Sequence, residues 1–266
     1  GKLKPEAIDA MRESFGLTND PIFIQYFSYL KSILKGDLGT SIAYFPAPVS
    51  EIISNGLGWT IFLAGISMII AFLIGTTLGI IIAWNRTGKL DTILPPTLAF
   101  FGAFPYFWLA MVFLYLFGFS LNWFPIGRAY GNEINPGYNL PFFISALYHA
   151  FLPALTLVFV SLGGWMLSMR NTMISTLGSD YITFAHAKGI PSKLIMLRYA
   201  ARNAILPNLT GFGMALGFML SGALLTEMIF SYPGQGFLLL QAVQAQDYPL
   251  MQGIFMTITL AVLGAN

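Results

Sequence analysis

The sequence predicts an all-α integral membrane protein, and three observations predict it. Charged residues make up only 9% of the 266 residues, against 56% apolar and 15% aromatic, where a soluble domain carries about 25% charged residues. The mean hydropathy is +0.71. Long apolar runs alternate with connectors whose Lys/Arg content rises and falls in step. So few charges cannot cover a water-facing surface, and in hydrocarbon these runs satisfy their own backbone as helices.

The first region, residues 1–56, reads as an exported segment of short amphipathic helices. It holds five Lys/Arg and six Asp/Glu and is nearly neutral. Pro5 suits a first helical turn, with a helix over Glu6–Phe15 and Gly16 as its stop. Pro21 opens a second helix to about Lys35, with Ile22, Tyr26, Tyr29, Leu30 and Ile33 on one face, and Gly36-Asp37-Leu38-Gly39 ends it. Val49–Ile53 starts a third.

Residues 57–266 form the transmembrane domain. Its apolar runs are 57–84, 92–119, 150–168, 205–230 and 249–266, and Glu227 is the only ionisable residue in the fourth. A hydrocarbon core of ~30 Å takes about 20 helical residues, so each run is expected to span. The connector 85–91 carries Arg86 and Lys89, and 169–204 carries Arg170, Lys188, Lys193, Arg198 and Arg202. By contrast 120–149 has only Arg128, and 231–248 has no Lys or Arg. The positive-inside rule puts 85–91 and 169–204 in the cytoplasm, and the other connectors outside with residues 1–56. Gly1 stands where an initiator Met would, no apolar stretch follows Lys2 and Lys4, and Asn266 falls inside an apolar run. The expectation is that further segments belong at both ends.

Several chemistries are excluded. A net charge of +2 gives no basic footprint for nucleic acid, and the absence of cysteine removes thiolate and disulfide chemistry. There is no G-x-x-x-x-G-K-[ST] and no H-E-x-x-H. His149 and His186 fall on opposite sides of the membrane and cannot share a metal or a triad. Asn85-Arg-Thr87 and Asn208-Leu-Thr210 match the glycosylation pattern, but the first lies in the cytoplasm and the second at or within a span.

The connector 169–204 carries the most information. Gly178–Lys188 reads as a short helix with Ser179 or Asp180 as N-cap, Gly189 breaks it, Ile190-Pro191 redirects the chain, and a second helix runs from Ser192 through Asn203 towards Pro207. Phe184 with the small residues Ala185 and Ala187 suits docking in a partner's groove. Five cations in this stretch also suit a basic anchor on anionic lipid, but the glycine hinge and the small residues favour docking. In the fourth run, Gly213-x-x-x-Gly217 puts small residues on one face, and the first run has Gly75-x-x-x-Gly79. These faces serve close helix packing or a pathway wall. Glu227 is suited to binding a solute amine or to capping a loop. Ser231–Gly236 reads as a turn, and Phe237–Gln246 as a short external helix whose Phe237–Leu240 is open to a re-entrant gate.

The stretch Asp180–Pro207, DYITFAHAKGIPSKLIMLRYAARNAILP, resembles the cytoplasmic EAA loop of ABC importer permeases, in the B-subunit of the dipeptide/oligopeptide branch. Similar to that branch too are Thr226–Gly236, Asp247-Tyr248-Pro249, Gly36–Ser41 and Leu152–Leu155. The resemblance implies the type I permease fold, with five spanning helices in this chain and six in the full subunit. It implies a coupling helix that inserts into a cleft on a separate ATPase. Thr183, Phe184 and Ala185 occupy the E-A-A places, departing from the consensus at the first two, and Gly189 is the motif glycine. The expected coupling set is Asp180, Tyr181, Thr183, Phe184, Ala185, Ala187, Lys188 and Gly189. The pathway or gate set is Gly213, Gly217, Glu227, Gly234 and Gly236.

The implied function is an ATP-driven importer permease for short peptides, in a bacterial or archaeal plasma membrane. No cofactor is expected on this chain, ATP and Mg²⁺ belonging to partner subunits. Those partners are a second permease, two ATPases and an external binding protein. The same transporter type carrying short oligosaccharides or nickel chelates is the alternative. An ion-coupled carrier would need more intramembrane charges than Glu227, and an intramembrane hydrolase a Ser–His or paired-carboxylate site.

Overall fold

The computed structural model describes residues 20–265, leaving aside the side chains of Gly217, Phe218, Leu220, Ser221, Gly222 and Ala265. The helix expected over Glu6–Phe15 lies outside the described residues. In chain order the helices are α1 (Ile22–Leu34), α2 (Val49–Trp84), α3 (Lys89–Gly102), α4 (Tyr106–Phe113), α5 (Leu140–Leu177), α6 (Asp180–Ala187), α7 (Ser192–Leu194), α8 (Arg202–Gly222), α9 (Leu224–Ile229), α10 (Gln235–Gln244) and α11 (Tyr248–Ala265). Two stretches wind as π-helix, Leu114–Ser120 after α4 and Ile195–Ala201 between α7 and α8.

Helices α2 and α5 form the spine. Each is long and apolar enough to cross a membrane alone. Their contact is backbone-close because Gly75 and Gly79 face α5. A Cβ on Gly79 would lie 2.7 Å from the Met166 carbonyl oxygen and 2.7 Å from Met169 Cβ. The G-x-x-x-G spacing in the first run is therefore a packing face. Helix α3 lies against α5 where Gly163 meets the Leu98 backbone.

Three expectations are corrected. Val49–Ile53 does not start a separate surface helix but is the first part of α2, since Pro48 opens a helix that runs unbroken to Trp84. The run 92–119 is not a straight span: α3 and the helix from Tyr106 to Ser120 meet at 96°. Pro105, at the N-cap of α4, cannot extend α3. The run 205–230 is divided at Ala223 into α8 and α9. The third run is longer than its apolar part, because Asn139 caps α5 by accepting from the Phe142 N–H at 2.9 Å and Pro141 sits in the first turn.

The connectors sort to two ends of the bundle, as the charge alternation required. At one end Arg170 reaches Asp91 and His186 stacks on Trp84, with ring centroids 6.4 Å apart. At the other end Asp247 meets Ser41, the Arg128 N–H donates to the Ser231 carbonyl, and Trp59 packs edge-on to Tyr232. There α10 buries Leu239 and Ala242 against Val49, Ile52 and Ile53 of α2 and Leu250 and Ile254 of α11.

Candidate functional site

Helix α6 follows α5 after one tight turn. Ser179 occupies the N-cap position in extended conformation without a side-chain capping bond, and Asp180 falls in the first turn, where a carboxylate complements the helix dipole. The far end is a Schellman closure: the Gly189 N–H donates to the His186 carbonyl at 2.9 Å and the Ile190 N–H to the Ala185 carbonyl at 3.3 Å. Gly189 adopts φ +71°, the left-handed conformation this closure demands, which gives the motif glycine a backbone reason.

One face of α6 is locked to the bundle. Ile182 and Ala185 are buried with Met169 and Met173 of α5, Ala83 of α2, and Ile195, Ala200, Ala201 and Ala204 around the π-helical stretch and α8. Asn203 Nδ2 donates to the Tyr181 hydroxyl at 3.0 Å, joining α6 to α8, and the ring of His186 lies over Trp84. The knob formed by α6 and its closing turn at Gly189 is therefore continuous with three helices of the bundle.

The opposite face is open. Asp180, Tyr181, Thr183, Phe184, Ala187, Lys188 and Gly189 are exposed, and Phe184 is 67% exposed. Ala185 corrects the sequence reading. It is only 3% exposed and packs inside this chain, so it holds the knob to the bundle instead of presenting a methyl to a partner. Lys188, Lys193, Arg198 and Arg202 are exposed around the same end.

Beside the knob, Arg170 Nε donates to Asp91 Oδ1 at 2.6 Å and ties the start of α3 to α5. That bond, supplemented by the Thr87 N–H, holds the Asp91 carboxyl below its ordinary pKa and the Arg170 guanidinium above its own.

The residues singled out for a pathway or gate fall into two groups. Gly213 lies on an exposed face of α8 with nothing within 4 Å of where a Cβ would be. Gly217 is among the residues whose side-chain surroundings are not described. Glu227, Gly234 and Gly236 come together in a buried turn. Glu227 is 0% exposed and its Oε2 accepts from the Gly236 N–H at 2.7 Å. A side chain on Gly234 would collide with that carboxyl, and one on Gly236 with the Leu224 backbone. Between the two choices left open for Glu227, this geometry is that of a carboxylate at the N-terminus of α10. A half-open cleft of about 290 Å³ between α2, α5 and α8 is lined by Ser67, Met68, Leu157, Ser161, Trp165 and Met219.

Two residues without a structural role in the sequence reading are buried polar ties. Asp247 is fully buried. It caps α11 through the Leu250 N–H at 3.1 Å, and its other oxygen accepts from the Ser41 hydroxyl and from the Ala43 N–H at 3.0 Å. Asn208, noticed only as a glycosylation-pattern match, is 1% exposed and hydrogen-bonded to two other helices. A polar residue directly after Pro207 in an apolar run was the available signal.

Comparison with known proteins accords with this architecture. Residues 75–266 match the family model described as binding-protein-dependent transport system inner membrane component. The chain is 34% identical over 266 residues to the oligopeptide transport system permease protein AppB of Bacillus subtilis, covering 98% of this chain and 81% of that protein. It is 35% identical to the probable D,D-dipeptide transport system permease protein DdpB of Escherichia coli, covering 97% and 80%. It is 32% identical to the glutathione transport system permease protein GsiC of Salmonella choleraesuis, covering 98% and 80%. The resemblance drawn from the EAA-like loop and its companion motifs is borne out, and the chain belongs to the family of inner membrane components of binding-protein-dependent transport systems.

Proposed function

We propose that this chain is a permease subunit of an ATP-driven peptide importer in a bacterial or archaeal plasma membrane, and that α6 is its coupling helix. The single observation that carries the proposal is the two-faced character of α6. Ile182 and Ala185 fasten it to α2, α5 and α8, while Tyr181, Thr183, Phe184, Ala187 and Lys188 are presented outward. A push on the outer face of a helix fastened in this way moves it as a body, together with the helix ends to which it is joined.

The sequence holds no P-loop, so the push comes from elsewhere. Two cytoplasmic ATPase subunits carrying ATP and Mg²⁺ supply it, a second permease completes the pathway, and an external binding protein delivers the solute. Short peptides are the solute class because the relatives named above are permeases for oligopeptides, D,D-dipeptides and glutathione. The end of the bundle where Tyr44 and Gln241 reach the surface, held from beneath by the buried Ser41–Asp247 hydrogen bond, is the face suited to receive the binding protein.

Co-purification from detergent tests the coupling role. Phe184→Asp places a charge in the centre of the outward face and is expected to lower recovery of the ATPase subunits with the permease roughly tenfold or more, by loss of an apolar anchor. Undiminished recovery contradicts the assignment.

A further inference from the structure

Asn208 forms a buried polar junction between α8 and the spine. Its Oδ1 accepts from Ser168 Oγ of α5 at 2.6 Å. Its Nδ2 donates to the Trp165 carbonyl of α5 at 3.3 Å and to Thr76 Oγ1 of α2 at 3.4 Å. One buried amide of α8 is thus bonded to both helices of the spine.

Three features surround this junction. On the spine side, Thr76 lies next to Gly75 and three residues before Gly79, where the α2 and α5 backbones touch, so the partners of Asn208 are set on the least yielding contact of the bundle. On the knob side, α8 is joined to α6 through Asn203 and Tyr181 and is preceded by the π-helical stretch Ile195–Ala201. Pro207, directly before Asn208, has no N–H to donate along the helix, which makes this a soft point of α8 for bending. Past Asn208, the rings of Phe72, Trp165 and Phe212 meet. Beyond them the cleft of about 290 Å³ opens between α8 and the spine, bounded by Ser67, Ser161 and Met219. Helix α8 is therefore pinned by hydrogen bonds to the spine at Asn208, bendable just below it, and bordered by a cleft beyond the aromatic rings.

We propose that Asn208 is the fulcrum of the coupling lever: a positioning residue that pins α8 to the α2–α5 spine, so that displacement of α6 emerges as rotation of the outer part of α8. The proposal rests on the reading of α6 as the coupling helix and adds to it the point about which the motion turns. Without the pin, the same displacement slides α8 along the spine and is lost before the outer half.

The chain has no cysteine, so this subunit adds no background to spin labels placed on it before assembly with its partners. In the complete transporter with its ATPase and permease partners, labels are introduced at Ser192→Cys, beside the knob, and at Met214→Cys, beyond the junction. Each is paired with a reference label at Asn55→Cys on the outer part of α2. Distances are measured with and without ATP plus vanadate, in the parent and in Asn208→Leu, which keeps the branched shape and removes the hydrogen bonds. In the parent both labels shift. In Asn208→Leu the Ser192 shift stays and the Met214 shift falls to about half or less, a separation of knob from outer helix that mere loss of stability does not produce. Ser168→Ala and Thr76→Val, each removing one partner, give intermediate losses. They also serve as the test if Asn208→Leu does not assemble. An unchanged Met214 shift in all three variants overturns the fulcrum while leaving the coupling helix standing. A Ser192 label that does not respond to nucleotide in the parent overturns the coupling reading and the fulcrum with it.

Discussion

Gly79→Ala is expected to loosen the spine of the molecule. The added Cβ would sit 2.7 Å from the Met166 carbonyl oxygen, 2.7 Å from Met169 Cβ and 3.0 Å from the Arg170 nitrogen. Two of these three atoms are backbone, so no rotamer change relieves the clash. Ordinary contact begins near 3.4 Å, so α2 and α5 must part by about 0.7 Å locally, enough to forfeit a quarter to a half of the dispersion well of each facing pair. Overpacking of this kind costs about 1–3 kcal/mol. At roughly 2–4 °C per kcal/mol that lowers the melting midpoint by about 2–12 °C. The assay is thermal unfolding of the isolated subunit in detergent, followed by circular dichroism. Gly213→Ala is the internal control: nothing lies within 4 Å of its Cβ position, and replacing a helical glycine by alanine gains up to about 1 kcal/mol. A Gly79→Ala midpoint equal to that of the parent, or a Gly213→Ala midpoint lowered as far, refutes the packing argument.

Two further outcomes follow from single contacts. The Arg170–Asp91 hydrogen bond depresses the Asp91 carboxyl below its ordinary value near 3.8. The stability it contributes, less than about 1 kcal/mol for a partly exposed pair, is therefore fully present above that value and is lost as pH falls through the lowered one. Asp91→Asn should melt slightly below the parent at pH 7, and the gap should close in strong acid; a gap that widens in acid contradicts the sign. Asp247→Ala removes the cap of α11 and leaves the Ser41 hydroxyl and Ala43 N–H without their acceptor, at a cost of about 2–4 kcal/mol. Chymotrypsin should then cut faster after Tyr44, and an unchanged cutting rate argues against Asp247 as the tie.

Much of this was legible in the sequence because the physics is local. Low charge and apolar runs set the solvent, the Lys/Arg alternation sorted the connectors, and Gly189 with Ile190-Pro191 marked the end of α6 at the residue where φ turns positive. Gly75-x-x-x-Gly79 announced a close helix contact. What was missed depends on partners distant in sequence or on polar ends of apolar helices. Ser50, Glu51, Ser54 and Asn55 kept the first part of α2 out of the apolar run, although they continue the same helix. The 96° bend at residues 103–105 leaves hydropathy unchanged, and only Pro105 signalled it. Ile182 and Ala185, three apart, already shared a helix face, but the motif likeness drew Ala185 to the outer surface; packing against Met169 and Met173 puts it inside. Glu227 found its partner at Gly236 and Asp247 at Ser41, separations that periodicity cannot reach.

The most direct test of the coupling helix compares its two faces in proteoliposomes holding the complete transporter, with ATP-driven uptake of a labelled dipeptide as the readout. Phe184→Asp, on the outward face, should leave the melting midpoint of the subunit unchanged and reduce uptake roughly tenfold or more. Ala185→Glu, which forces a charge among Met169, Met173 and Ile195, should lower the midpoint itself. Full uptake by Phe184→Asp, or uptake by the parent without any ATPase subunit, would contradict the account.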